Sequence, residues 1–179
     1  MPSLTFTGKD FLNSELHPAY AAVSYRIETH SGFLGRKTTT LTPLSQSPYR
    51  GIPGEIDWRD KTFQIGDVKH NWSGLNRDTG GFFSSAKEWH WPSGRSYVVN
   101  YNNGEWTAVG HSWGSTGGAV FRLRRSHITT ASEPATISFS QDIPYEDTVF
   151  LILVMIFSEA KREDKSQELR EYTLAAAGG

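Results

Sequence analysis

Six basic side chains in or beside strand-like segments have the chemistry to bind an anionic group, because a guanidinium holds phosphate through paired hydrogen bonds and lysine adds a point charge. They are Arg36, Lys37, Lys87, Arg95, Arg122 and Arg124. Arg122 and Arg124 are separated by one residue, so a strand would present both on one face. These residues predict a site for an anionic headgroup. The alternative is that they lie on solvated strand faces and pair with some of the 19 acidic residues.

Two tryptophans, Trp72 and Trp113, lie in surroundings rich in Gly, Ser and Asn, which are typical of loops. An exposed loop tryptophan can stack on a sugar ring or enter a membrane interface. We therefore add both to the predicted ligand-binding residues. The alternative is that each packs into the core or anchors its loop.

Acid–base chemistry has weaker support in the sequence. His70 and His111 each precede a loop tryptophan by two residues, and Tyr101 and Glu105 flank a predicted turn. These four residues are the candidate catalytic groups of an alternative function, an enzyme acting on a small ligand in a loop-lined pocket. The six histidines form no closely spaced pair, so we expect no metal site and no cofactor.

The composition of the chain excludes several classes of protein. The 179 residues include 18 basic and 19 acidic ones, for a net charge of −1, which argues against nucleic acid as a partner. The absence of cysteine excludes disulfides and thiolate zinc sites. No signal peptide is evident, and the apolar run Val149–Phe157 is about half the length of a membrane span. We expect a cytoplasmic protein without a transmembrane segment.

Short alternating segments rich in Thr, Val, Ile and aromatic residues, separated by Gly and Pro, predict a mainly β protein. The predicted strands are Leu4–Thr7, Ala22–His30, Arg36–Leu44, Gly54–Arg59, Thr62–Lys69, Phe82–Trp91, Ser96–Asn102, Glu105–Trp113, Ala119–Arg125 and Thr136–Ser140.

One hairpin is specified in detail. Asn103-Gly104 joins two strand-like runs, and this pair favours a type I′ turn because both residues tolerate positive φ. A turn at this position predicts that Tyr101 lies opposite Trp106.

The chain ends in a predicted helix at about 145–172, whose first part, Thr148–Phe157, is apolar on all sides. The alternative for this part is a central β-strand, which its β-branched residues allow. A helix that is apolar all round must be enclosed, and a closed sheet can enclose it. We therefore predict a single domain at 1–174, an antiparallel β-barrel of about ten to twelve strands wrapped around the helix, with a flexible tail at 175–179.

This layout resembles the tubby-like superfamily, in which an antiparallel barrel encloses a C-terminal helix and to which phospholipid scramblases and LURP-one-related proteins belong. The segment Phe33-Leu34-Gly35-Arg36-Lys37-Thr38-Thr39-Thr40, the later Gly54-Glu55-Ile56-Asp57-Trp58 and the helix ending Glu159-Ala160-Lys161-Arg162-Glu163 are similar to an uncharacterised fungal domain family.

The resemblance implies a non-enzymatic intracellular binding module for anionic phospholipid headgroups, peripheral to a membrane, whose partner is anionic membrane lipid. Two alternatives stay open beside it. One is the enzyme described above, and the other is a protein-interaction module that uses the charged C-terminal helix. The sequence does not indicate an oligomeric state.

Overall fold

A computed structural model describes residues 2–19, 23–33, 35–44, 51–79, 86–92, 94–110, 117–123, 134–141 and 143–177. These ranges contain thirteen strands and two helices. The strands are β1 Ser3–Phe6, β2 Ser14–Pro18, β3 Tyr25–Gly32, β4 Gly35–Pro43, β5 Gly54–Asp57, β6 Thr62–Ile65, β7 Val68–Asn71, β8 Asn76–Asp78, β9 Lys87–His90, β10 Ser96–Asn102, β11 Glu105–Gly110, β12 Gly118–Arg122 and β13 Thr136–Phe139. The helices are α1 Trp72–Leu75 and α2 Tyr145–Ala177.

All thirteen strands belong to one antiparallel sheet in the order β7-β6-β5-β4-β3-β2-β1-β13-β12-β11-β10-β9-β8. The predicted mainly β fold with a C-terminal helix is confirmed, but the predicted closed barrel of about ten to twelve strands is wrong, because the sheet is open and has thirteen strands. The two edge strands, β7 and β8, are consecutive in the chain and are joined by α1. This single helical turn contacts both edges, and Asn71 caps it by accepting a hydrogen bond from the Ser73 N–H. In a closed barrel, hydrogen bonds would join the two edge strands; here α1 connects them instead.

The predicted strand at Thr62–Lys69 is two strands, β6 and β7, because Gly66 has a φ of 57° and reverses the chain so that Ile65 pairs with Val68. Two strands were not predicted. β2 contains a single large apolar residue, Leu16, and β8 is only three residues long. Of the predicted strand at Phe82–Trp91, residues 82–85 lie outside the described part of the chain.

The predicted hairpin between β10 and β11 is confirmed. Asn103 and Gly104 have φ values of 51° and 84°, as a type I′ turn requires. Tyr101 pairs with Trp106, and the centroids of their rings lie 5.0 Å apart.

Gly104→Ala is expected to lower the free energy of unfolding by about 1–2 kcal/mol, because a side chain at positive φ is strained. Gly74→Ala is the matched control, since nothing lies within 4 Å of an added Cβ there. It should be neutral or stabilising by up to about 1 kcal/mol. Thermal unfolding followed by circular dichroism measures both variants, and equal effects would contradict the turn assignment.

The apolar C-terminal run is helical, as predicted, so the alternative of a central strand is wrong. Residues from Val149 to Ile156 are 0 % exposed, which is the burial expected of a helix apolar on all sides. Glu146 and Asp147 in the first turn complement the positive end of the helix dipole. The helix continues to Ala177, beyond the predicted end at about 172.

The sheet curls around the buried half of α2. The helix is contacted from several strands through Tyr25, Phe63, Tyr97 and Trp106. Gly54 on β5 allows the closest approach, because a Cβ there would lie 3.1 Å from Leu153 and 3.2 Å from Val149. The open sheet thus encloses the helix by packing, without a hydrogen-bonded seam between its edges.

Candidate functional site

A cleft of about 390 Å³ lies between α2 and the strands β9–β11, where the helix leaves the core. Its volume is within the usual range of ligand pockets. The described lining residues come from β9, β10, β11 and α2. They are Lys87, Trp89, Val99, Trp106, Phe157, Ser158, Lys161, Arg162 and Lys165.

The floor of the cleft is apolar. Trp89, Val99 and Trp106 are on the inner face of the sheet and are between 2 % and 8 % exposed. Phe157 ends the apolar run of α2 and lies 5.6 Å from the Trp89 ring, centroid to centroid. Period-two alternation along the strands selects these side chains, and the register of the sheet brings them to one place. An apolar group of a ligand can pack against this floor.

The rim of the cleft is basic. It carries Lys87, Lys161, Arg162 and Lys165, and none of the described lining residues is acidic. Lys87 lies 3.7 Å from Asp78, but both side chains are at least half exposed, so water screens this pair. Lys161 and Lys165 are four residues apart and therefore lie on one face of α2. The rim favours an anion.

Arg162 is held in place by a buried carboxylate. Its Nε and Nη2 donate to the two oxygens of Glu159 at 2.8 and 2.6 Å, and the Glu159 side chain is 1 % exposed. Trp106 Nε1 donates to the same carboxylate at 2.8 Å, and the Tyr101 ring lies 4.7 Å from the guanidinium carbon. The hydrogen bonds to Glu159 raise the pKa of Arg162. Because Glu159 balances Arg162 and Lys87 lies 3.7 Å from Asp78, the remaining charge of the rim comes mainly from Lys161 and Lys165.

Arg36 and Lys37, adjacent in the predicted site, are separated by a β-bulge. Thr38 pairs with His30 and Arg36 pairs with Ser31, so Lys37 is the extra residue of β4. A bulge shifts the in–out alternation by one residue. Arg36 consequently turns toward α2, where it binds Asp164 at 2.8 Å, while Lys37 is exposed.

Arg122 and Arg95 lie elsewhere. Arg122 on β12 donates to Glu105 on β11 at 2.9 Å, and the backbone N–H of Arg95 donates to Asp147 at the start of α2. Asp147 and Asp164 are about 25 Å apart along the helix. The structure therefore places Arg36 and Arg95 far apart along α2, and it pairs Arg122 with Glu105 on β11. Arg124 is outside the described residues.

The predicted loop tryptophan Trp72 is half-buried in an aromatic cluster. Its ring centroid lies 4.7 Å from that of Phe157, 6.0 Å from that of Phe63 and 6.1 Å from that of Trp58. This is the packing role considered as an alternative. The other loop tryptophan, Trp113, is outside the described residues.

The candidate catalytic residues do not form a pocket together. His70 packs against the edge of Trp91 at 5.2 Å, Tyr101 packs on Trp106, and Glu105 pairs with Arg122. None of these three lines the cleft. His111 lies outside the described ranges. No three His, Asp or Glu side chains in these ranges gather into a group that could hold a metal.

A second, more polar cavity of about 370 Å³ is lined by the segment between β1 and β2 and by residues of β2 and β3. Two of its charged groups pair with each other, since Arg26 binds Glu15 at 3.0 Å, and His17 binds the same carboxylate at 3.0 Å. The hydrogen bond from Arg26, followed by that from His17, lowers the pKa of Glu15. This internal pairing makes the cavity a weaker candidate than the cleft.

Of the predicted binding residues that the structure describes, only Lys87 lines the cleft. Lys161, Arg162 and Lys165 are not among the binding residues predicted from the sequence. The signal that could have found them is their position in the first two turns after the apolar run ends. A side chain there must lie at the rim of whatever encloses the run.

In comparisons with protein-family models, curated proteins and solved structures, nothing matches this chain. Within the described residues, neither helix has an apolar stretch long enough to cross a bilayer.

Proposed function

We propose that the protein is a non-enzymatic, intracellular binding module that takes the headgroup of an anionic phospholipid into the cleft between α2 and β9–β11. The observation that carries this proposal is the combination of an apolar floor with a rim whose described charges are all basic. A phospholipid has the complementary arrangement, with a phosphate next to apolar chain.

The chemistry of the lining supports binding rather than catalysis. The described lining residues include no carboxylate and no imidazole, the usual general acids and bases. Three flexible lysines and one fixed arginine can instead surround a phosphate as donors. Because Arg162 is held by Glu159 and Tyr101, one donor is preorganised, which lowers the entropic cost of binding.

The proposal keeps the phospholipid partner that the tubby-like resemblance implies, and we propose membership of that superfamily with it. The binding residues differ from those first predicted. Lys87, Lys161, Arg162 and Lys165 replace the set of Arg36, Lys37, Arg122 and Arg124 at the centre of the site.

Reversal of two rim charges should weaken lipid binding. In the double variant Lys161→Glu with Lys165→Glu, the affinity for short-chain, monomeric phosphatidic acid should fall at least about tenfold, because two attractive charges become repulsive. Isothermal titration calorimetry measures the affinity, with short-chain phosphatidylcholine as the neutral comparison. The wild-type protein should prefer phosphatidic acid.

Arg122→Glu is the control, since Arg122 belonged to the first predicted site and does not line the cleft. Its affinity should stay within about twofold of the wild type. If both variants lose the same affinity for phosphatidic acid, the cleft is not the binding site. If the wild type binds phosphatidic acid and phosphatidylcholine with equal affinity, the proposed function is overturned.

A further inference from the structure

The face of α2 that borders the cleft continues beyond it as a stripe. Lys161 and Lys165 line the cleft, and Leu169 and Tyr172 follow at spacings of four and three residues. Residues at these spacings lie above one another on one face of a helix. The cleft thus opens onto a helix face that carries two lysines and then two large apolar side chains.

The apolar part of this stripe is exposed. Leu169 is 60 % exposed and Tyr172 is 77 % exposed. Leu174 is similarly exposed, at 73 %, but it lies two residues after Tyr172 and therefore on a different face. The three residues allow a test in which exposure and apolar character are alike and only the helix face differs.

Charge is distributed unevenly around this part of α2. Glu163 and Arg170 lie on the side opposite the stripe, while Asp164 and Glu168 each follow a stripe lysine by three residues and, with Glu171, flank the stripe. Burial, followed by the charge of Glu159, raises the pKa of Glu163. The stripe itself carries two lysines and no acidic residue, and of the acids that flank it Asp164 is paired with Arg36, so the stripe complements an anionic surface.

We propose that the stripe of Lys161, Lys165, Leu169 and Tyr172 docks on an anionic lipid bilayer. Leucine and tyrosine enter the membrane interface, and lysines reach the phosphates while their alkyl stems lie on apolar surface. Docking in this orientation places the mouth of the cleft at the bilayer surface, where a headgroup can enter it. This inference rests on the proposed function, because docking brings the cleft to the bilayer that contains its proposed ligand.

The test compares vesicles with a soluble lipid. Co-sedimentation uses phosphatidylcholine vesicles with or without about 30 mol % phosphatidylserine. Leu169→Ser with Tyr172→Ser should weaken binding to the anionic vesicles at least about tenfold, because two interfacial side chains are lost. The same variant should bind monomeric short-chain phosphatidic acid like the wild type. Leu174→Ser should bind both within about twofold of the wild type.

The outcomes separate the two proposals. If the wild type binds the soluble lipid, but the stripe variant binds vesicles like the wild type or Leu174→Ser loses as much affinity, the stripe inference fails and the cleft stands. If the wild type binds neither the anionic vesicles nor the soluble phosphatidic acid, both the stripe inference and the proposed function are overturned. If sedimentation shows a wild-type dimer that the stripe variant converts to a monomer, the stripe is covered by a second copy and bilayer docking is overturned.

Discussion

Phe63→Ala is expected to lower the free energy of unfolding by about 3–5 kcal/mol, the usual cost of removing a fully buried phenylalanine. The Phe63 ring stacks on Trp89 at a centroid distance of 5.7 Å and meets Phe150 and Phe157 edge-on at 6.4 and 5.4 Å. These contacts join β6, which lies next to one edge strand of the open sheet, to β9, which lies next to the other edge strand. They also join both strands to α2, which lies between them. Urea denaturation followed by far-UV circular dichroism measures the effect.

The position of Phe63 in the fold argues for the upper part of this range. No hydrogen-bonded ladder joins the edge strands β7 and β8, so the two edges of the sheet are held together by side-chain packing and by the short connection through α1. A cavity at Phe63 would remove that link as well as the transfer free energy of the ring.

Phe33→Ala is the matched control, because Phe33 is fully exposed at the turn between β3 and β4. Its effect should stay within about 0.5 kcal/mol. A loss below about 1 kcal/mol for Phe63→Ala would contradict the view that the aromatic layer closes the fold.

The parts of the fold that follow from local chemistry could be predicted. The helix α2 follows from a run too apolar to face water on any side, and the β10–β11 hairpin follows from two residues that tolerate positive φ. In both cases a few adjacent residues determine the result.

Closure of the sheet could not be predicted in the same way. It depends on whether β7 and β8, the two edges, meet through hydrogen bonds, and that is decided by the geometry of all thirteen strands. The short turn α1 lies within Trp72-Ser73-Gly74-Leu75, a sequence that is also typical of a loop. The missed strand β8 has no apolar periodicity, because its three residues are all polar.

The candidate site was found only in part for a related reason. Alternation along β4 puts Arg36 on the outer face, but the bulge at Lys37 turns it toward α2, and no residue type marks a bulge. Lys161 and Lys165 become site residues only because β9–β11 lie opposite them across the cleft. Such a site is made by tertiary contacts between distant segments.

Glu159→Gln is expected to have two opposite effects. It should destabilise the fold by about 1–3 kcal/mol, because Arg162 loses a charged partner, although the glutamine oxygen can still accept from Trp106. The lower part of this range is favoured because the Arg162 side chain is 35 % exposed and water compensates it in part. The same change should strengthen binding of short-chain phosphatidic acid several-fold, because the charge of Arg162 at the rim is no longer balanced.

Asp164→Asn separates a local effect from a change in net charge. It also removes one negative charge from α2, but Asp164 binds Arg36 and does not line the cleft. Its side chain is 36 % exposed, so the loss of stability should stay below about 1 kcal/mol, and lipid affinity should change less than about twofold. Urea denaturation and calorimetry on the three proteins measure both quantities. If Asp164→Asn strengthens binding as much as Glu159→Gln, the gain is a property of the whole molecule. If only Glu159→Gln does so while it loses stability, the buried carboxylate limits the affinity of the cleft as the cost of holding Arg162 in place.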